Sequence, residues 1–291
     1  MCSGLCTLTG RQTASGAFAS EVLAGEGWYA DENCCVTALV AFELLVAGNA
    51  GCNNRLLPQA LDFIERCELP ETRGRFRFYP PGQAAPLPGM QLGADLDDTA
   101  LALTVLRLAG RRSPAQLAAS LEDMRHYRTG WPGGREQQWV HAGVYRTWYH
   151  DPGWFNPVDA CVNLNIATLL VAAEGPASAE AQVLFSAVRE AVRLYGTGPA
   201  GIRGITPYYA HAAELFHAAN RAAALGLPGA AAWAGELAHR IQNRYGPGIF
   251  LDTTIPICCN SHGQPLWYSV ALQEARQLRL PAFSTSPLFQ S

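Results

Sequence analysis

Leu92-Gly-Ala-Asp95-Leu-Asp97-Asp98-Thr99-Ala-Leu-Ala-Leu-Thr-Val-Leu-Arg-Leu-Ala109 decides the fold. Three carboxylates fall within four positions and open a run that is apolar almost all round. A helix with no wet face is an interior helix, so the run predicts a buried helix over 95–109 whose acidic end points into a protected space. Helix N-termini favour negative charge, because their first N–H groups are unbonded and the dipole is positive there. One Asp satisfies a cap. Three need a further reason, since unpaired buried charge is costly.

The same pattern recurs outward from this stretch. Runs at 31–47 and 157–173 are mostly apolar, and 207–224 and 264–278 complete a set of five. Between them, 55–67, 114–127, 178–195 and 228–245 carry apolar residues on one face only. Gly16-x-Phe18, Gly74-x-Phe76, Gly143-x-Tyr145 and Gly248-x-Phe250 precede successive apolar helices, with Gly201-Ile-Arg-Gly204-Ile in the equivalent place for the fourth. A helix pair plus a Gly-aromatic turn, repeated, predicts stacked units that bury one another's apolar faces. The expected fold is all-α: one α/α toroid over 1–291, a double layer of helices with the apolar ring inside. Nothing alternates as βαβ, so no parallel sheet is expected. Arg73–Tyr79 and Gln138–Tyr149 read as extended linkers, and residues 1–30 as Gly- and Ser-rich with little period.

Composition supports a large interior. Apolar residues make up 49% and charged residues 15%, against about 25% charged in ordinary soluble domains. The net charge of −3 gives no nucleic-acid footprint. All 21 basic residues are Arg, which excludes any mechanism that needs a Lys. Nine cysteines without a repeated C-x-x-C spacing read as reduced and buried, and neither as a disulfide framework nor as a zinc ribbon. No leader pattern opens the sequence and no apolar run reaches the ~18 residues of a membrane span. A soluble cytoplasmic chain is expected.

In a toroid the inner helices start at one rim. Asp31/Glu32/Asn33, Asp95/Asp97/Asp98, Asn156/Asp159 and Tyr208/Tyr209/His211 would then converge on one cavity mouth, the kind of concave site where ligands bind.

Asp95-x-Asp97-Asp98-Thr99-Ala100, after Arg73-Gly-Arg75-Phe76-Arg77-Phe78-Tyr79-Pro80, resembles the D-x-D-D-T-A motif of class II terpene cyclases within the terpenoid cyclase/prenyltransferase superfamily. The resemblance is specific over about 70–110 and one of pattern elsewhere. It implies a cyclase that protonates a linear isoprenoid, a C15–C20 prenyl diphosphate by the size of a single toroid. Asp97 would be the general acid, with Asp95 and Asp98 orienting it. Burial and adjacent carboxylates both favour the neutral acid this needs. The cation that forms needs π-faces and dryness. Phe76, Phe78, Tyr79, Tyr145, Trp148, Trp154, Tyr208, Tyr209 and Trp267 are the candidates, each also able to be ordinary core. Arg73, Arg75 and Arg77 would share one strand face and meet a diphosphate. Asp31 and Glu32 are the carboxylates available to hold Mg²⁺ between protein and phosphate. Cyclases of this class usually carry two domains, so the resemblance leaves an oligomer or a partner domain to complete the site.

Other readings stay open. Asp95-x-Asp97-x-Thr99 also fits the nucleophile motif of haloacid dehalogenase-type phosphatases, but that motif ends a β-strand and Pro88-Gly-Met-Gln-Leu-Gly-Ala94 is no strand. Asp159-x-Cys161 has the spacing of the zinc Asp and Cys of protein prenyltransferases, with His211 or His262 as a third ligand. Zn²⁺ is not expected without a closed set of three. A non-catalytic isoprenoid- or protein-binding toroid is the third alternative.

Overall fold

The computed structural model describes residues 7–48, 50–87, 90, 92–130, 137–149 and 156–279, the side chains of 50–54 aside. In chain order the elements are β1 (Ser20–Ala24), β2 (Gly27–Asp31), α1 (Cys34–Ala47), α2 (Ala50–Arg66), β3 (Phe76–Arg77), β4 (Ala94–Asp95), α3 (Leu96–Leu108), α4 (Pro114–Arg125), α5 (Ala160–Glu174), α6 (Ala179–Tyr195), α7 (Pro199–Ile205), α8 (Ala212–Ala224), α9 (Ala230–Tyr245), a 3₁₀ turn (Ile249–Leu251), β5 (Cys258–Cys259), β6 (Leu266–Tyr268) and α10 (Val270–Gln277).

The most buried helices and α10 begin alike because their sequences supply the same parts. Asn33, Asp95, Asp159 and Ser269 each hold extended backbone and accept a first-turn N–H on a side-chain oxygen; His211 does the same with Nδ1. Such caps satisfy donors that a buried helix end could not leave to water. Four residues past three of these caps, a side-chain oxygen takes the N–H of the linker aromatic. Thr37 Oγ1 accepts from Phe18 at 3.2 Å, Thr99 Oγ1 from Phe76 at 3.0 Å and Asn163 Oδ1 from Tyr145 at 2.8 Å. The three aromatics are fully buried. The glycines two residues earlier, Gly16, Gly74 and Gly143, all sit at positive φ. The repeat is thus a glycine that turns, an aromatic that plugs, and a helix whose fourth residue ties the plug down.

Burial separates the helices into two kinds. α1, α3, α5 and α8 are buried on nearly every face over three turns. α4, α6 and α9 bury one face only. α1 packs on α3, α3 on α5, α5 on α8, and α10 on α1, with the 3₁₀ turn touching both α8 and α10. α2, α6 and α9 pack against α1, α5 and α8 respectively, and α4 lies against α3 and α5. Among the described residues, one hydrophobic core runs through the whole arrangement, and no helix is long and apolar enough to cross a membrane.

The all-α expectation needs correcting. A four-stranded antiparallel sheet, ordered β2-β1-β6-β5, lies beside the helices. Residues 20–31 form a hairpin turned at Gly25-Glu26, with Gly25 at φ +59°, the glycine that a two-residue hairpin loop wants. The helix expected over 264–278 starts only at Val270. Leu266-Trp267-Tyr268 before it are strand, with Trp267 turned in and Ser269 left to cap. Arg73–Tyr79 shortens to β3, which pairs with β4 so that Phe76 faces Asp95. Gln138–Tyr149 contributes isolated bridges, among them Asp95 with Trp148. The short helix α7 was not foreseen.

Candidate active site

β4 ends and α3 begins at the Asp motif, and the bridges to Phe76 and Trp148 lay the two flanking linkers against it. Asp95 is the cap: its Oδ1 accepts Asp98 N–H at 2.7 Å. A purely structural reading thus accounts for one carboxylate of the three. Asp97, two positions on, is only half-buried, whereas Asp95 and Asp98 are 6% and 2% exposed.

All three line a cavity of about 90 Å³, with Cys35, Val162, Trp148, Tyr208, Tyr209 and Trp267 among its other walls. Phe78 joins them, edge-on to Trp267 with centroids 5.4 Å apart. Trp148 Nε1 donates to Tyr208 Oη at 2.6 Å, which locks two rings edge-on. Asn156 accepts the N–H groups of Thr147 and Trp148 and donates to the Trp148 carbonyl, so it carries the linker that presents Trp148. Asp159 Oδ2 accepts the Tyr208 N–H at 3.0 Å and does the same for Tyr208 and Tyr209.

Asp97 is held by two donors. Asn165 Nδ2 donates to Oδ1 at 2.7 Å, and Tyr209 Oη makes a short hydrogen bond to Oδ2. Asp98 Oδ2, by contrast, is buried with no hydrogen-bond partner among the described residues. These differences set the protonation pattern. Burial pushes Asp98 well above the ordinary carboxylate range, and the neighbouring Asp95 charge pushes the same way. Burial and the Asp97 charge push Asp95 up to about 7. Burial raises Asp97 too, but Asn165, Tyr209 and the Arg221 charge all oppose it. Burial holds Asp159 up to about 7 against the N–H groups it accepts. At neutral pH such a cluster keeps protons that exposed carboxylates would have lost.

The expected residues divide. Asp95, Asp97, Asp98, Phe78, Trp148, Tyr208, Tyr209 and Trp267 come together. Phe76 is core behind β3. Tyr79 lies edge-on to Phe78 on the side away from the cavity, toward Asp31. Tyr145 reaches outward to Glu180 and Arg128. Trp154 lies outside the described residues.

The three arginines do not form a phosphate clamp. Arg75 is bidentate to Asp123, both bonds 2.7 Å, and stacks on Tyr149. Arg77 donates to the Leu92 carbonyl, and Arg73 lies in a surface hollow with Glu65, Glu68 and Arg112. The strand is two residues long, so the alternation that would align them does not persist. No Arg is among the described residues that line the Asp cavity.

Asp31 and Glu32 part company. Asp31 accepts from Ser20 and Asn33 inside the sheet, while Glu32 turns out to Ser15. Among the described residues no group of three His, Cys, Asp or Glu side chains could hold a metal. Asp31 and Glu32 turn to different partners, so the two do not face one Mg²⁺ site together. Of the zinc candidates, both Asp159 oxygens accept backbone N–H groups and His211 caps α8 through Nδ1. The phosphatase reading fails on context, since the sheets are antiparallel and Asp95 heads a helix.

Three features at the site escaped the motif reading, Asn165 behind Asp97 and two in the cavity wall. Asn165 was visible only as a buried polar residue in need of a partner. Cys35 and the Cys258–Asn260 turn carried no signal at all that tied them to the Asp motif.

No protein-family model and no curated protein matches the chain. Among solved structures, the chain is similar to a variant of the type II terpene cyclase MstE from Scytonema, in complex with its substrate geranylgeranyl dihydroxybenzoate. The identity is 13% and the TM-score 0.47, over 99% of this chain and 78% of that one.

Proposed function

We propose that this chain is a protonation-initiated (class II) terpene cyclase for a linear isoprenoid, with Asp97 as the acid. The observation that carries the reading is one carboxyl, out of a buried cluster, that faces an aromatic-walled cavity with hydrogen-bond donors on both its oxygens. Such donors stabilise the conjugate base, so the proton leaves readily, while burial keeps it in place until then. The π electrons of a terminal alkene take the proton and form a C–H bond. The O–H electrons stay on Asp97 as carboxylate, and the cation forms on the neighbouring carbon. Phe78, Trp148, Tyr208 and Trp267 would face it with π-density and exclude water. Ring closure moves the cation until a proton is lost or water adds. The closed order of helix contacts supports an α/α toroid as the scaffold.

A cavity of about 90 Å³ is below the usual range of a few hundred Å³ for ligand pockets. It fits the reacting end of a C15–C20 chain, with the remainder extending through the opening. The arginines contribute nothing to a diphosphate at this cavity, so no step runs through diphosphate or Mg²⁺.

The test is incubation with farnesyl and geranylgeranyl diphosphates and the corresponding alcohols, with and without Mg²⁺, followed by mass spectrometry. A cyclic product carrying one deuterium from D₂O, lost by about 10²-fold or more in Asp97→Asn, is the expected result. No cyclic product, with equal isoprenoid binding by wild type and Asp97→Asn, would overturn the enzyme reading in favour of a binding toroid.

A further inference from the structure

A buried chain of hydrogen bonds runs behind the acid. Arg221 on α8 is 1% exposed. Its Nε and Nη2 both donate to Oδ1 of Asn165, at 3.2 and 2.8 Å. Asn165 Nδ2 then donates to Asp97 Oδ1 at 2.7 Å and also lies 3.3 Å from Tyr209 Oη. An amide can turn either end toward a neighbour, and only its partners decide which. Two guanidinium N–H groups on one end fix that end as the oxygen. The end facing Asp97 must then be the donor.

The charges nearby are matched except for this one. Arg276 is bidentate to Glu214 at 2.8 and 2.5 Å, and Arg279 pairs with Glu43 at 3.1 Å. Burial holds His217 well below its ordinary range, and hence neutral. Arg221 touches no carboxylate, and its Nη1 is buried with no partner among the described residues. Its charge opposes the rise in the Asp97 pKa beside the Asn165 hydrogen bond. The titratable groups facing Asp97 from the other elements are Asp95 and Asp98 beside it, Cys35 on α1, Asp159 and Cys161 on α5, and Tyr209 before α8. Arg221 is the one cation in that company.

We propose that Arg221 is a positioning residue for the acid: it orients the Asn165 amide and puts the one unmatched positive charge behind Asp97. Of the carboxyls gathered at this rim, Asp97 is thereby the one that Arg221 and its amide support as the conjugate base. The role in turnover rests on the reading of Asp97 as the acid, whereas the electrostatic claim can be tested without substrate.

The test titrates ¹³C-labelled aspartate carboxyls by NMR in the full chain, with Asp97→Asn assigning the Asp97 signal. In Arg221→Met the proton affinity of Asp97 is expected to rise at least tenfold. Arg221→Lys, which keeps the charge and loses the fork, should fall between the two. Turnover in Arg221→Met should drop about tenfold in kcat with KM little changed, and the alkaline limb of its pH profile should move up. An unchanged Asp97 titration in a folded Arg221→Met would overturn the proposal. If that variant does not fold, Arg221→Gln, which keeps a donor to Asn165 without the charge, carries the same two outcomes. A shifted titration without any cyclic product would leave this proposal standing and remove the cyclase reading. A cyclic product with an unshifted titration would do the reverse.

Discussion

At the scale of residues, the three aspartates of one motif have three different jobs because they have three different surroundings. Asp95 caps, Asp97 faces the cavity between two donors, and Asp98 is buried with one oxygen unpartnered. Asp98 gives a prediction with a definite sign. Its folded pKa lies above the unfolded value of about 4, so the folded state binds the extra proton and stability falls as pH rises above that value. Asp98→Asn takes no part in this exchange. Relative to wild type it should gain stability at pH 8 over pH 5, read from urea midpoints at the two pH values. The opposite pull of His217 is common to both proteins and cancels. An equal difference at both pH values would contradict the assignment. The motif itself was legible because three acids cannot all be cap. Asn165 and Arg221 were not, since nothing in one helix says what faces its polar residues from another.

At the scale of elements, the Gly-aromatic repeat was legible and its mechanism was not. The glycines showed where each unit turns. The side chains that tie the plugs, Thr37, Thr99 and Asn163, look like any polar residue in an apolar run. At Gly16, φ is +93° and a Cβ would come within 2.3 Å of the Gln59 carbonyl oxygen. Gly16→Ala should therefore cost about 2 kcal/mol or more, measured by thermal or denaturant unfolding; a loss under about 0.5 kcal/mol would mean that the linker shifts freely. The hairpin at 20–31 was missed because its glycines dominated the composition and hid a short alternation. Of the alternating arginines of 73–77, read as extended chain, Arg77 alone lies in strand β3, while Arg73 and Gly74 form a turn. The destinations of Arg75 and Arg77 were set by Asp123 and the Leu92 carbonyl, far off in sequence.

At the scale of the molecule, α10 and Arg279 just past its end join α1 and α8 through two buried ion pairs, Arg279–Glu43 and Arg276–Glu214. Removing one partner strands a desolvated charge, so Glu214→Gln should cost about 3–5 kcal/mol, seen as a lowered unfolding midpoint. A variant as stable as wild type would show that Arg276 finds water. The order of inner and outer helices was legible from which runs had a wet face. The sheet was not, because its partners stand too far apart for any local pattern to connect them. β1 at residues 20–24 hydrogen-bonds to β6 at 266–268. On the ribosome the first of these strands emerges long before the second exists. Contacts of such span form late and leave apolar surface open meanwhile. The seam between the two ends of the chain, β1 on β6 and α10 on α1, must therefore stay open until synthesis is nearly complete, and yield in the cell should depend on holdase chaperones more than the finished protein's stability would suggest.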